Sequence, residues 1–320
     1  MTAIRPRGNC RKDNSSAFLF IRMTKLKMKP AVSSEGVNIY CPEDGRVSLF
    51  NSPYPAHRLF AGVDVYPNRG FGELAPSPVL GEVTETRQVR CPHAKDFVSS
   101  NRDHVILLRS LENPERWIKV LHVEPTVDVG DVIEVGANLG RLLRSGFFDF
   151  WTDPHLHVEV REPSDPIRAR GGFKFERVAE IGESKPTEDL SGYVVECRPE
   201  YSLVALEKRS KYGVSADVEG QPGLLDAGIP HYGWIGLHLE RVPQVGGVVR
   251  LSGRKIGTVR FVHSNMCVAE CCSPAFRLNG KPVQLSLYLY LFSVPLVKII
   301  PHRPGGLRLK ESEQVSLAIP

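Results

Sequence analysis

The sequence contains no uninterrupted apolar run of about 18 residues, so it offers no membrane-spanning helix. Helical spacing of apolar residues is scarce along its whole length. There is no glycine-rich phosphate loop and no serine in a nucleophile elbow, which removes two large enzyme classes at the level of motif. No repeat of fixed period and no low-complexity tract occurs, so a solenoid is not expected. The charge is not blocked. A net +5 is spread over 320 residues, which gives no nucleic-acid footprint. A disulfide framework is missing too. The seven cysteines (Cys10, Cys41, Cys91, Cys197, Cys267, Cys271 and Cys272) are odd in number and irregularly spaced. The adjacent pair Cys271 and Cys272 suits neither a disulfide scaffold nor a zinc ribbon. Free thiols in a reducing compartment are expected, with a metal site at Cys267, Cys271 and Cys272 as a lesser alternative.

What is present is ordinary globular composition, 42% hydrophobic and 24% charged, on a chain long enough for two domains. The 25 prolines and 28 glycines punctuate short valine-rich runs, which predicts a mostly antiparallel all-β protein with tight turns. Residues 1–36 are expected to be a disordered or misassigned lead. Their apolar patch at 17–21 is shorter than a signal-peptide core, and no clear cleavage site follows it. A first domain is expected over 37–178, with strands near 38–41, 46–50, 61–67, 79–83, 104–109 and 117–123. A polar stretch with Gly182 and Pro186 reads as a linker over 179–190. A second β-rich domain of unknown role is expected over 191–320.

The most informative stretch is Pro154-His155-Leu156-His157-Val158-Glu159-Val160. Polar and apolar residues alternate with the period of a strand, so His155, His157 and Glu159 share one face. Neutral imidazoles are good zinc ligands, and a strand can aim two of them into one pocket. By itself, a His-x-His pair on a wet sheet face is the blander explanation. Glu159, next on that face, is a candidate to hold an imidazole from behind.

Upstream of that strand lie His57 with Asp64 ahead of Pro67, then a lone His122 after an apolar hairpin, then Val129-Gly130-Asp131-Val132-Ile133-Glu134-Val135-Gly136 with Leu139-Gly140. Taken in this order, roughly residues 40 to 170 resemble the LytM/lysostaphin-type zinc metallopeptidases. The resemblance implies a lysostaphin-type β-sandwich or barrel-sandwich domain. It also implies a zinc site made by His57, Asp64 and His157, with His122 and His155 acting on substrate and water. Its substrates would be peptide bonds of cell-wall-type, peptidoglycan-like cross-links. Three N/O ligands leave a fourth tetrahedral position for water, as catalytic zinc requires. The family usually separates its first pair as His-x-x-x-Asp. Here Phe60 stands at the expected histidine, and His57 is seven residues before Asp64. Either an insertion carries His57 back to the metal or the site has lost a ligand. The prolines at 53 and 55 favour an ordered loop and the first option.

Two other functions compete. The valine-glycine run also looks like the half-barrels of lipoyl and biotinyl carriers, but no lysine lies between Lys119 and Lys174 to be modified. A non-catalytic lysostaphin-fold binding or scaffold protein is the alternative, supported by the odd spacing and by the lack of an export signal. By default the protein is expected to be cytoplasmic, or in the cell envelope or outside the cell if it acts on wall peptides.

Overall fold

Alternating apolar and polar residues between proline- and glycine-marked turns give antiparallel strands almost throughout. The computed structural model describes residues 26–94, 96–182, 185–208, 210–291 and 293–319. Among these, the strands form four sheets and the helix content is one turn, Pro55–Arg58. The all-β, mainly antiparallel fold expected from the sequence is the fold observed.

The site lies on a seven-stranded sheet. Its order is Val132–Ile133, Gly81–Arg90, Arg102–Ser110, Trp117–Leu121, Leu156–Arg161, Val63–Tyr66 and Arg46–Ser48. Register does the positioning. His157 stands opposite Asp64 on one neighbouring strand and opposite Leu121 on the other. Asp64 in turn stands opposite Ser48. Side chains directly opposite on one face meet, so this register alone brings His157 and Asp64 together.

The two faces of Leu156–Arg161 have opposite chemistry. Leu156, Val158 and Val160 enter an apolar core with Ile106, Ile118 and Phe175. Each fully buried aliphatic side chain of this kind contributes about 1.5–3 kcal/mol. His157, Glu159 and Arg161 face the other way and are also buried, so that face must satisfy its polar groups internally.

The C-terminal half forms a twelve-stranded sheet around a second core that includes Leu225, Ile235, Val259 and Leu285. It is not set apart from the first half. Leu224, Met266, Val268, Leu289 and Leu291 pack into the first core, and Val47 and Leu289 exchange two backbone hydrogen bonds of 3.0 Å. The intervening residues 179–190 are tied down at both ends: Ile181 is buried in the first core and Leu190 in the second.

One expectation is corrected. Structure begins before Val37: Met28–Ser34 is a strand paired with Val37–Pro42 and with Glu176–Arg177. Pro30 interrupts the alternation there and conceals it, while Ala31 and Val32 are fully buried. Glu35 and Gly36, both at positive φ, close the hairpin in the way tight two-residue turns require. Residues 1–25, with Cys10, lie outside the described residues. The six cysteines described are all free. No helix among the described residues is long and apolar enough to cross a membrane.

Candidate metal centre and cleft

His57 reaches Asp64 because the chain between them doubles back. Pro55 opens the helical turn Pro55–Arg58, where its fixed φ suits a first helical position. The turn is closed by Phe60 N–H to His57 O (3.1 Å) and Ala61 N–H to Ala56 O (2.8 Å), with Phe60 at φ +64°. A positive φ is uncommon for an aromatic residue. Here it turns the Phe60 ring edge-on to Phe50, at 5.4 Å between centroids, and leaves His57 to face the sheet. The long His57 to Asp64 spacing is therefore a looped insertion. Gly62 completes the approach, since a Cβ there would lie 2.8 Å from His157 Cε1.

Three acceptor atoms converge at this point. His57 Nδ1–H donates to Leu49 O at 2.8 Å, which leaves Nε2 as the lone-pair nitrogen. His157 Nε2 lies 3.1 Å from Glu159 Oε1, and with the ring proton placed there Nδ1 is the lone-pair nitrogen. His57 Nε2 and His157 Nδ1 are 3.1 Å apart, and Asp64 Oδ1 is 3.3 and 2.9 Å from them respectively. Acceptors this close repel one another unless a cation sits among them. Tetrahedral ligands on a zinc ion at 2.0–2.1 Å are separated by roughly 3.3 Å, so donor set and spacing both fit. Among the described residues, His57, Asp64 and His157 form the group able to hold a metal ion. Burial alone would raise the Asp64 carboxyl, but His57 and His155 beside it hold it well below the ordinary range.

The partners behind these three side chains are themselves buried. Glu159 lies between His157, Lys119 (Nζ to Oε1, 2.6 Å) and Arg161 (NH1 to Oε2, 2.9 Å), all shielded from solvent. Burial opposes ionisation of Glu159, but His157 and Lys119 outweigh it and keep the carboxyl below the usual glutamate range.

His122 and His155 flank the group. His122, at φ +71°, donates Nδ1–H to Asp103 Oδ2 at 2.6 Å and its backbone N–H to Asp103 Oδ1 at 3.1 Å. Ser145 Oγ–H donates to the same carboxylate at 2.6 Å. His155 donates Nδ1–H to Asp153 O at 2.9 Å, and its Nε2 lies 3.7 Å from Asp64 Oδ2. Burial, against the pull of Asp64, holds His155 down to about 4, so its ring is neutral near pH 7. The His122 and His155 rings are 5.0 Å apart. Both open onto a cleft of about 470 Å³ lined by aromatic side chains, among them Tyr54, Phe148, Trp151, Tyr232 and Tyr288.

Of the five histidine and aspartate positions singled out in the sequence, Asp64, His122, His155 and His157 line one cleft, His57 is buried against Asp64 and His157, and Glu159 stands behind His157. Sequence reading missed Asp103, Lys119, Arg161 and Asp226. Asp103, Lys119 and Asp226 come from other strands and carry no local spacing signal; Arg161 continues the alternation of His157 and Glu159 on one strand and could have been found by it. Asp153 borders the site in sequence but turns away from the cleft. It accepts from Arg46, from Lys298 Nζ (2.6 Å) and from Tyr201 Oη (2.7 Å). Lys298 and Arg46 overcome the burial of Asp153 and bring it to about 2, and His122 does the same for Asp103. Both values lie below the 3.8 of an ordinary aspartate. Each carboxylate therefore stabilises the fold above pH 4 and loses that contribution as pH falls through 2, about 2 kcal/mol apiece. A steep fall in melting temperature between pH 4 and 2 is the expected calorimetric result; Asp153→Asn should flatten part of it.

Residues 38–177 match the family profile described as the N-terminal domain of a domain of unknown function, DUF8155. No curated protein sequence matches the chain. Among solved structures, the NMR solution structure of lysostaphin is similar at 15% identity and a TM-score of 0.25, over 71% of this chain and 94% of that chain.

Proposed function

We propose that this protein is a zinc-dependent endopeptidase in which His57, Asp64 and His157 hold the metal and His122 and His155 act on substrate and water. The observation that carries the reading is the convergence of one atom each from His57, Asp64 and His157. Leu49 O and Glu159 each hold one imidazole so that its other nitrogen points at Asp64. Such outer partners are what metal-binding histidines ordinarily require. Bound there, zinc would supply a Lewis acid and a water acidic enough to ionise near neutral pH. His122 would take or return a proton at Nε2, since Asp103 holds its Nδ1–H. His155, neutral with its Nδ1–H held by Asp153 O, presents a bare Nε2 to the cleft and would accept a hydrogen bond from the attacking water or a substrate N–H. The aromatic walls of the cleft would exclude water and grip a peptide backbone. By the sequence resemblance, the substrate class is the peptide cross-link of a cell-wall-type polymer.

The test is elemental analysis of wild type and His157→Ala purified in parallel. About one zinc per chain in the wild type, absent from the variant, is expected. No zinc in either would overturn the enzyme reading in favour of a metal-free binding protein on the same fold.

A further inference from the structure

We infer that the C-terminal half is a working part of the metal site and not a separate module, with Asp226 as the residue through which it positions His57. The inference rests on the metal centre proposed above. Asp226, in the strand Gln221–Ile229, is fully buried and accepts three hydrogen bonds. Ser48 Oγ–H donates to its Oδ1 at 2.5 Å, Leu49 N–H to its Oδ2 at 2.6 Å, and His238 Nε2–H to the same oxygen at 3.2 Å. Leu49 is therefore gripped at both ends: its N–H by Asp226, its carbonyl by the Nδ1–H of His57. That carbonyl chooses the His57 tautomer and sets the plane of the ring.

The neighbouring contacts show why the grip is firm. Ser48 Oγ also accepts the Asn51 N–H at 2.8 Å, and Trp234 Nε1–H donates to Phe50 O at 3.2 Å. Gly236 leaves room for the Phe50 ring, where an added Cβ would lie 2.1 Å from it. The segment that aims a metal ligand thus runs out from the edge strand of the sheet that carries Asp64 and His157 and is held against the C-terminal half. The same half supplies Tyr232, Ser286 and Tyr288 to the cleft wall. An asparagine at 226 keeps the shape but presents an NH2 group to a donor that needs an acceptor. The Leu49 peptide would then shift, and the His57 ring with it.

Zinc affinity, measured by chelator competition on the full chain, tests this. Asp226→Asn should bind zinc 10- to 100-fold more weakly than wild type, the usual effect of removing an outer-shell partner. In a His57→Ala background the same change should cost less than about 3-fold, because no His57 remains to be positioned. Trp234→Phe, which loosens the seam without touching the Leu49 N–H, should stay within about 3-fold of wild type. Wild-type affinity in Asp226→Asn, equal losses in both backgrounds, or an equal loss in Trp234→Phe would each overturn the role. Should Asp226→Asn not fold, Ser48→Ala removes one of its donors and should weaken zinc by about 3-fold or more; no weakening there overturns it as well. A wild type without zinc sinks the metal reading, not this one. The imidazole nitrogens of metal-free protein then decide by NMR: Nδ1–H only in wild type, a mixture of tautomers in Asp226→Asn, with an unchanged tautomer counting against it.

Discussion

Glu159→Gln should lower the unfolding free energy by about 3–5 kcal/mol, read by urea or thermal unfolding of the metal-free protein. Glu159 is the one carboxylate bonded to both Lys119 and Arg161 among the described residues, and all three side chains are sealed from water. Glutamine fills nearly the same volume, so little of the loss comes from packing. What is lost is the charge. Lys119 is left without its carboxylate in a low-dielectric interior, where an unpaired charge costs far more than a surface salt bridge returns, while Arg161 keeps Asp165 at 3.4 Å. The double variant Glu159→Gln with Lys119→Met removes the stranded cation and should recover part of the loss. A loss below about 1 kcal/mol in the single variant would mean that water or another carboxylate reaches Lys119. The same substitution acts on the site. Glutamine can still accept from His157 Nε2–H, but a neutral oxygen holds it less firmly than a carboxylate. Zinc affinity should fall as well, by roughly 10-fold or more.

The parts of this fold that could be read from sequence are those where one strand carries its own signal. The alternation around His155 and His157 set their shared face correctly, and the apolar hairpin ending at His122 was visible from composition alone. Pro30 hid a strand because proline breaks the pattern that identifies one, although the buried Ala31 and Val32 pay no heed to it. The partners Asp103, Glu159, Lys119 and Asp226 were harder for a different reason. Glu159 could be nominated because it lies two residues from His157 on the same pleat. Asp226 lies 177 residues from Leu49, and only the packing of one half on the other makes it relevant. Register is legible locally, whereas contacts between sheets are set by the whole fold. The apparent spacing defect at Phe60 has the same origin. A linear motif counts residues, but a helical turn with a left-handed residue at its end can absorb three more and return the histidine to the same place.

His122→Ala should leave zinc in place and lower kcat by 10²- to 10⁴-fold, with little change in KM, on any peptide the wild type cleaves. His122 is not among the three converging acceptors, so metal content should not follow it. Its ring is fixed instead by Asp103, which takes both its Nδ1–H and its backbone N–H and is held in turn by Ser145. With Nδ1 committed as a donor, Nε2 is the atom free to accept a proton in the cleft. Asp103→Asn tests this more sharply than the alanine variant. An asparagine amide turned toward the ring would favour the opposite tautomer, with Nε2 carrying the proton and unable to accept one. The ring would stay in place and the zinc would stay bound, yet kcat should still fall by about 10²-fold or more. If Asp103→Asn cleaves peptide within a factor of about three of wild type while His122→Ala does not, then His122 works by contact with the substrate and the proton passes elsewhere. If both variants keep wild-type rates, the ring beside the metal group serves only to pack the cleft against Phe148, whose ring lies 4.7 Å away.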